Sequence, residues 1–164
     1  CSGDDLHGFT AHQLKEQRAN QFAAELLMPA PIFQADVEEL PDVGLSAIDT
    51  LADRYATSLT STAIRYTRLS QQVCAIVSSE NERIKYFAYS TSFRDNNTCY
   101  LVKDRSLHPD SLAYRLTTNP NEAETGPEEV PRSCWCSTDV SGTLIEHSRR
   151  LPRINQIISF LLLR

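Results

Sequence analysis

The sequence predicts an α+β fold, helical over residues 1–70 and mostly β over residues 71–164. Two observations carry this. Up to Leu69, apolar residues recur at helical spacing between stretches punctuated by proline, serine and threonine. After Ser70 the texture changes to short β-branched and aromatic runs separated by polar turns.

In chain order, "TAHQ" at Thr10 to Gln13 fits a capping box, with Thr10 as N-cap and Gln13 three positions on, and Pro29 supplies a stop. A helix over residues 11–28 is expected. "GLSAIDTLADRYATSLTSTAIRYTRLS" reads as two further helices, the first capped by Ser46 and the second carrying Ala63, Ile64 and Leu69 beyond a break at Thr57 to Ser61. "VCAIVSS" and "IKYFAYS" flank the turn "SENER" and give a hairpin signal. More strands are expected at "CYLV", "CWCST", "GTLIEHS" and "QIISFLLL", with a tight turn at "VSGT". Residues 117–132, rich in proline and glutamate without periodicity, read as a surface loop or a mobile insertion. The part from about Val73 onward is expected to fold alone.

Net charge is −5, with 16 basic and 21 acidic residues, which argues against a general electrostatic grip on nucleic acid or an anionic membrane. No apolar run approaches the roughly 18 residues that span a bilayer. The five cysteines, Cys1, Cys74, Cys99, Cys134 and Cys136, are an odd number, and no signal-peptide pattern precedes them. Reduced thiols and a cytoplasmic location are therefore expected. The pair in "SCWCS" is too close for a zinc knuckle, and burial on one strand face accounts for it better.

"EQRANQFAAELLMP", residues 16–29, raises the chemical question. On a helix, Glu16, Ala19, Asn20, Ala23, Leu26 and Leu27 share one broad stripe, and Glu25 lies about half a turn away. Glu25 reads as a solvated charge. Glu16 reads as a carboxylate aimed over small side chains, and a buried carboxylate needs a cation, a set of donors or a metal.

The stretch closely resembles the E-x-x-A-N-x-F-A-A-x-L-L-M-P segment of the ImmA/IrrE family of zinc metallopeptidases. "LADRYATSLTSTAIRYTRL" resembles the segment that follows it there, a short helix-turn-helix-like unit. "CAIVSS" and "EHSRRLPRINQIISFLLLR" are similar to strand segments of the C-terminal half, which is GAF-like in some members. The resemblance implies that residues 1–70 are the helical C-terminal part of a metallopeptidase-like domain and residues 71–164 an α+β GAF-like domain. It implies Glu16 as the third zinc ligand, beside two histidines of an upstream H-E-x-x-H helix that also supplies the general base. A carboxylate from a second helix then closes three corners of a tetrahedron and leaves the fourth to water. The implied substrate is a protein such as a transcriptional repressor.

The sequence departs from the family pattern in one respect. His7, His12, His108 and His147 form no H-E-x-x-H, and the chain opens on Cys1 with Met28 as its only methionine. The expectation is a piece of a longer parent that begins downstream of the zinc helix and is inactive by itself. His12 and Glu16, four apart, offer two ligands at most. Two other function classes stay open. One is a non-catalytic sensor or interaction module. The other is a DNA-binding regulator using Leu51 to Leu69, where Arg65, Tyr66 and Arg68 lie on the second helix. "RRLPR", Arg149 to Arg153, either docks an acidic partner or is a solvated loop.

Overall fold

The computed structural model describes residues 4–96, 99–137, 141–151 and 153–164, with side chains from Lys15 onward other than that of Gln17. Four helices lead: α1 Asp4–Leu27, α2 Ala30–Glu38, α3 Leu45–Tyr55 and α4 Leu59–Leu69. The hairpin β1 Cys74–Glu80 and β2 Arg83–Tyr89 follows, then two short helices, α5 Thr91–Asp95 and α6 Leu112–Thr118. Strands β3 Glu128–Pro131, β4 Thr143–Leu151 and β5 Gln156–Leu162 end the chain. The mixed helix-then-sheet architecture matches the sequence expectation.

Local chemistry sets the boundaries. Pro29 ends α1 and, with Pro31, starts α2, because a proline ring is tolerated only in a helix's first turn. Ala56 takes the left-handed conformation that closes α3 (φ 50°), and the Ser58 hydroxyl caps α4 by accepting from Ser61 N at 3.1 Å. Asn81 and Glu82 both have positive φ, as a two-residue hairpin turn requires.

Several expectations are corrected. α1 starts at Asp4, so Thr10 lies inside the helix and is no N-cap; "DDLHGF" extends the helical run upstream, and the capping-box pattern is tolerated mid-helix. Gly44, not Ser46, is the N-cap of α3, with a φ of 113° that favours glycine. α2, α5 and α6 are additions to the expected set. "CYLV" forms no strand, and "CWCST" opens in a 3₁₀ turn over Arg132–Cys134. Cys99 and Cys136 are joined in a disulfide, so the expectation of reduced thiols fails for these two. Their segments run side by side, with Ser137 N donating to Tyr100 O at 3.0 Å, a proximity that an odd cysteine count does not reveal. Cys74 and Cys134 are buried free thiols, and Cys1 lies outside the described residues. Residues 117–132 hold the end of α6 and the whole of β3. Of the expected "VSGT" turn, Val140 lies outside the described residues, and Gly142 has a φ of 108°.

The strands form one antiparallel five-stranded sheet in the order β2-β1-β5-β4-β3. Both faces are covered. Cys74, Ile76, Ala88, Ile158 and Phe160 pack against α2, α3 and α4 in one core with Met28, Phe33, Ile48, Leu51 and Tyr66. Ala75, Val77, Ile84, Ile157 and Leu161 point the other way, into a core with Phe93, Leu112, Leu116 and Trp135. Alternate side chains of one strand thus enter two cores, which explains why "VCAIV" and "IISFLLL" are continuously apolar. The helical and β parts share the first of these cores.

Candidate metal-ligand helix and its anchor

The site residue proposed by the sequence, Glu16, is exposed on α1. So are Ala19, Asn20 and Ala23, and with them Phe22 (70% exposed), Leu26 (69%) and Leu27 (55%). The stripe read from helical spacing therefore exists and faces away from the sheet. What anchors α1 is its last turn. Met28 is buried, Ala24 packs on the helix-covered core, and Met28 N donates to Ala24 O at 2.9 Å.

Glu25, expected to be a solvated charge, is the other anchor. Its two carboxylate oxygens each accept from Arg65 at 2.8 Å, from Nη1 and Nη2, and Arg65 Nε donates to the Met28 carbonyl at 3.0 Å. Arg65 is buried, so this fork supplies the charge and acceptors a cation needs away from water. Hydrogen bonds from Arg65 hold the Glu25 carboxyl below the usual glutamate range against an opposing desolvation effect. The two glutamates do face opposite ways, but it is Glu25 that meets the body of the protein.

No three histidine, cysteine, aspartate or glutamate side chains come together as a metal group among the described residues. The side chains of His7 and His12 lie outside those described. His108 Nδ1 sits 3.8 Å from Asp110 and 3.7 Å from Cys134 Sγ, and His147 Nε2 sits 2.7 Å from Glu124 Oε1. Neither meets Glu16. One exposed carboxylate is no zinc site, and the described residues by themselves do not fit the metal.

The helix-turn-helix spacing of α3 and α4 is real, but Arg65 is committed to Glu25, and Tyr66 is buried edge-on against Phe160 with ring centroids 6.0 Å apart. Burial pushes the Tyr66 hydroxyl up to about 12. Of the three side chains the sequence offered to DNA, only Arg68 is exposed. The basic cluster at Arg149 to Arg153 is corrected as well, because Arg149 and Arg150 lie on β4 and are engaged. Arg149 forks onto Asp49 of α3 at 2.6 Å and onto Glu124 at 2.9 and 2.8 Å; Arg150 donates to the Leu116 carbonyl. The acidic partners of Arg149 are in the same chain, and its pair to Asp49 ties the helices to the sheet. Burial pushes the Glu124 carboxyl up, but hydrogen bonds from Arg149 and His147 outweigh it and hold the group below its ordinary range.

Sequence reading missed one buried carboxylate altogether. Glu146 is fully buried on β4. Its Oε1 accepts from Ala113 N and Ser148 Oγ, both at 2.7 Å, and its Oε2 from Trp135 Nε1 at 2.8 Å. Burial pushes its carboxyl up, and the donors act the other way. The alternating pattern of "TLIEHS" puts Glu146 on the same face as Leu144, the one signal that could have found it.

Residues 2–67 match the model of a peptidase family described as the IrrE N-terminal-like domain. The match takes in α1 to α3 and most of α4 and stops before the sheet. No curated protein matches the chain. The resemblance read from residues 16–29 thus holds over the helical part.

Proposed function

We propose, from the premise that residues 2–67 are an IrrE N-terminal-like stretch, that the chain is the C-terminal portion of a zinc-dependent metallo-endopeptidase acting on a protein substrate, a repressor being the class implied. The observation behind this reading is the outward stripe of Glu16, Ala19, Asn20 and Ala23 on a family-matched helix. Small side chains at that spacing admit a second helix closely enough for a carboxylate of glutamate length to reach a shared metal. Glu16 would be one ligand, the histidines and general base coming from an H-E-x-x-H helix elsewhere in a longer parent. No catalytic step is assigned to the residues of this chain, and by itself the chain is inactive in this reading. Residues 71–164 form the proposed GAF-like domain, a reading supported by the antiparallel sheet with helices on both faces. A cytoplasmic location belongs to the same proposal. The disulfide removes the cysteine argument for it. Among the described residues, no helix is long and apolar enough to cross a membrane.

The test has two arms. In the chain itself, equilibrium dialysis should show no more than weak zinc binding. One tightly held zinc per chain, lost on Glu16→Ala, would mean that a complete site is present here. In the longer parent, Glu16→Gln should lower zinc content and proteolysis together while the fold stays close to unchanged, because an amide keeps the shape but binds zinc poorly. Glu25→Gln should weaken the fold and leave zinc stoichiometry intact. A Glu16→Gln parent with full zinc and full cleavage overturns the assignment.

A further inference from the structure

The two edges of the sheet are finished differently. β3 is short, carries Glu128 and Glu129, and ends in Pro131, three devices that discourage a further strand. β2 is longer, and only its beginning is covered. Ile84 N donates to Arg105 O at 3.0 Å, Asp104 N to Ile84 O at 2.7 Å and Leu107 N to Glu82 O at 2.8 Å. The register then shifts at a bulge, since Ser78 pairs with Tyr86 and Ser79 with Ile84, leaving Lys85 as the extra residue. Beyond it, among the described residues, "YFAY" (Tyr86 to Tyr89) pairs with β1 alone. Ser90 N turns inward to Cys74 O at 2.9 Å, so by alternation Phe87 and Tyr89 turn their backbone groups outward.

A groove of about 400 Å³ runs along this open stretch, lined by Arg68, Tyr86, Phe87, Tyr89, Thr91 and Arg94. Its aromatic wall is held in place, with Phe87 stacked on Tyr89 at 5.7 Å and Tyr89 on Phe93 at 5.8 Å. Its charge is out of character for an acidic chain. Arg54, Arg65, Arg115 and Arg149 are each paired with carboxylates. Arg68 and Arg94 are exposed and, among the described residues, have neither an ion pair nor a side-chain hydrogen bond. Arg68 and Arg94 thus flank the uncovered Tyr86 to Tyr89 run of the β2 edge.

We propose that the Tyr86 to Tyr89 edge accepts an added strand from an extended acidic peptide segment of a partner protein. The backbone of that segment would pair with Phe87 and Tyr89, and its carboxylates would meet Arg68 and Arg94. Main-chain pairing supplies the contact in such an augmented sheet, and flanking charges select the guest. A second copy of this edge is the poorer occupant, since it would bring Arg68, Arg94 and Lys85 against their own counterparts. A nucleic acid would leave the outward amides unused. The inference stands independently of the metallopeptidase reading, because none of its residues lies on α1 or in the metal chemistry.

Fluorescence anisotropy on the whole chain tests it, using a labelled decapeptide that alternates glutamate with valine. Saturable binding that weakens as salt is raised is expected. Binding should fall about tenfold or more with Arg68→Ala/Arg94→Ala, and as far when glutamine replaces glutamate in the peptide. A peptide with proline at alternate positions, unable to pair on that edge, should not bind. Amide exchange at Phe87 and Tyr89 should slow on binding, a readout that mere electrostatic attraction would not move. Equal binding of the glutamine peptide, undiminished binding of the proline peptide, or no binding at all would overturn the proposal. So would preference for a single-stranded oligonucleotide, or a doubling of mass in sedimentation that Arg68→Ala/Arg94→Ala abolishes.

Discussion

Helix α1 and strand β5 are both rich in apolar side chains, and the fold treats them in opposite ways. β5 buries Ile157 and Leu161 in one core and Ile158 and Phe160 in the other, whereas α1 leaves Phe22, Leu26 and Leu27 more than half exposed. Both faces of the sheet are covered within the chain, whereas among the described side chains α1 is anchored at its last turn, through Ala24, Glu25 and Met28. This exposed apolar surface lies on one helix face, beside a carboxylate and small residues, outside both described cores. The contrast separates what the chain uses to fold from what it presents.

The largest effect should come from cutting between the two parts. A segment of residues 73–164 keeps the second core but uncovers Ile76, Ile158 and Phe160, and it loses the pair between Asp49 and Arg149. Each large apolar side chain returned to water costs about 1.5–3 kcal/mol, so the loss is comparable with a whole domain's stability of roughly 5–15 kcal/mol. The sequence reading expects this segment to fold alone. With a shared core, it should retain strand signal in far-UV circular dichroism yet bind a hydrophobic dye and unfold at a much lower urea concentration than the full chain. An unchanged midpoint would show that the helices contribute little to the sheet, and the comparison would fail on the sheet side.

Next is the disulfide. Cys99 and Cys136 lie 37 positions apart and fasten the loops that cover the second core. Replacing both with serine should cost roughly 2–4 kcal/mol, mainly by freeing the unfolded chain. Urea denaturation of the double variant should match that of the native chain under strong reductant. A chain that loses nothing with reductant would place the stability of that face in packing around Trp135 alone.

A smaller shift is expected at the anchor of α1. Glu25 has a depressed carboxyl pKa when folded, so its contribution is fully present above the unfolded glutamate value and disappears as pH falls through the folded one. Glu25→Gln should lower the urea midpoint at neutral pH, and the difference from the native chain should close in acid once the native carboxyl is protonated. Titrating the midpoints of both proteins from about pH 7 to about pH 2 reads this directly. A constant difference over that range would assign the effect to shape rather than charge.

What the sequence made legible follows from how far each signal reaches. Pro29, the break after Tyr55, the hairpin turn at Asn81 and Glu82, and strands β4 and β5 are local patterns, and each lies where expected. The stripe containing Glu16 was also legible, since helical spacing fixes which residues share a face. The neighbour across that face was not. Arg65 is forty positions from Glu25, and Asp49 a hundred from Arg149, so neither ion pair leaves a trace in local spacing. The disulfide is hidden for the same reason. α5 and α6 are too short for periodicity to declare them, and only the serine caps Ser90 and Ser111, accepting from Phe93 N at 3.1 Å and Tyr114 N at 3.2 Å, mark their starts. Pro29 reads in sequence as a stop alone, and in the fold it also starts the next helix.

The smallest effect is the sharpest test of the comparison. Phe22→Ala and Leu26→Ala remove large side chains that are 70% and 69% exposed, so each should change stability by no more than about 0.5 kcal/mol. An equal truncation in the core, Phe33→Ala at a fully buried site, should cost about 3–5 kcal/mol. The measurement is urea denaturation of the chain at several protein concentrations, because a face that pairs with another copy would make the exposed-site values rise with concentration. If Phe22→Ala and Leu26→Ala each cost as much as Phe33→Ala at every concentration, the outward stripe of α1 is buried within the chain in solution. Glu16 would then share that burial, and the helix would be a core element with no face left for a partner.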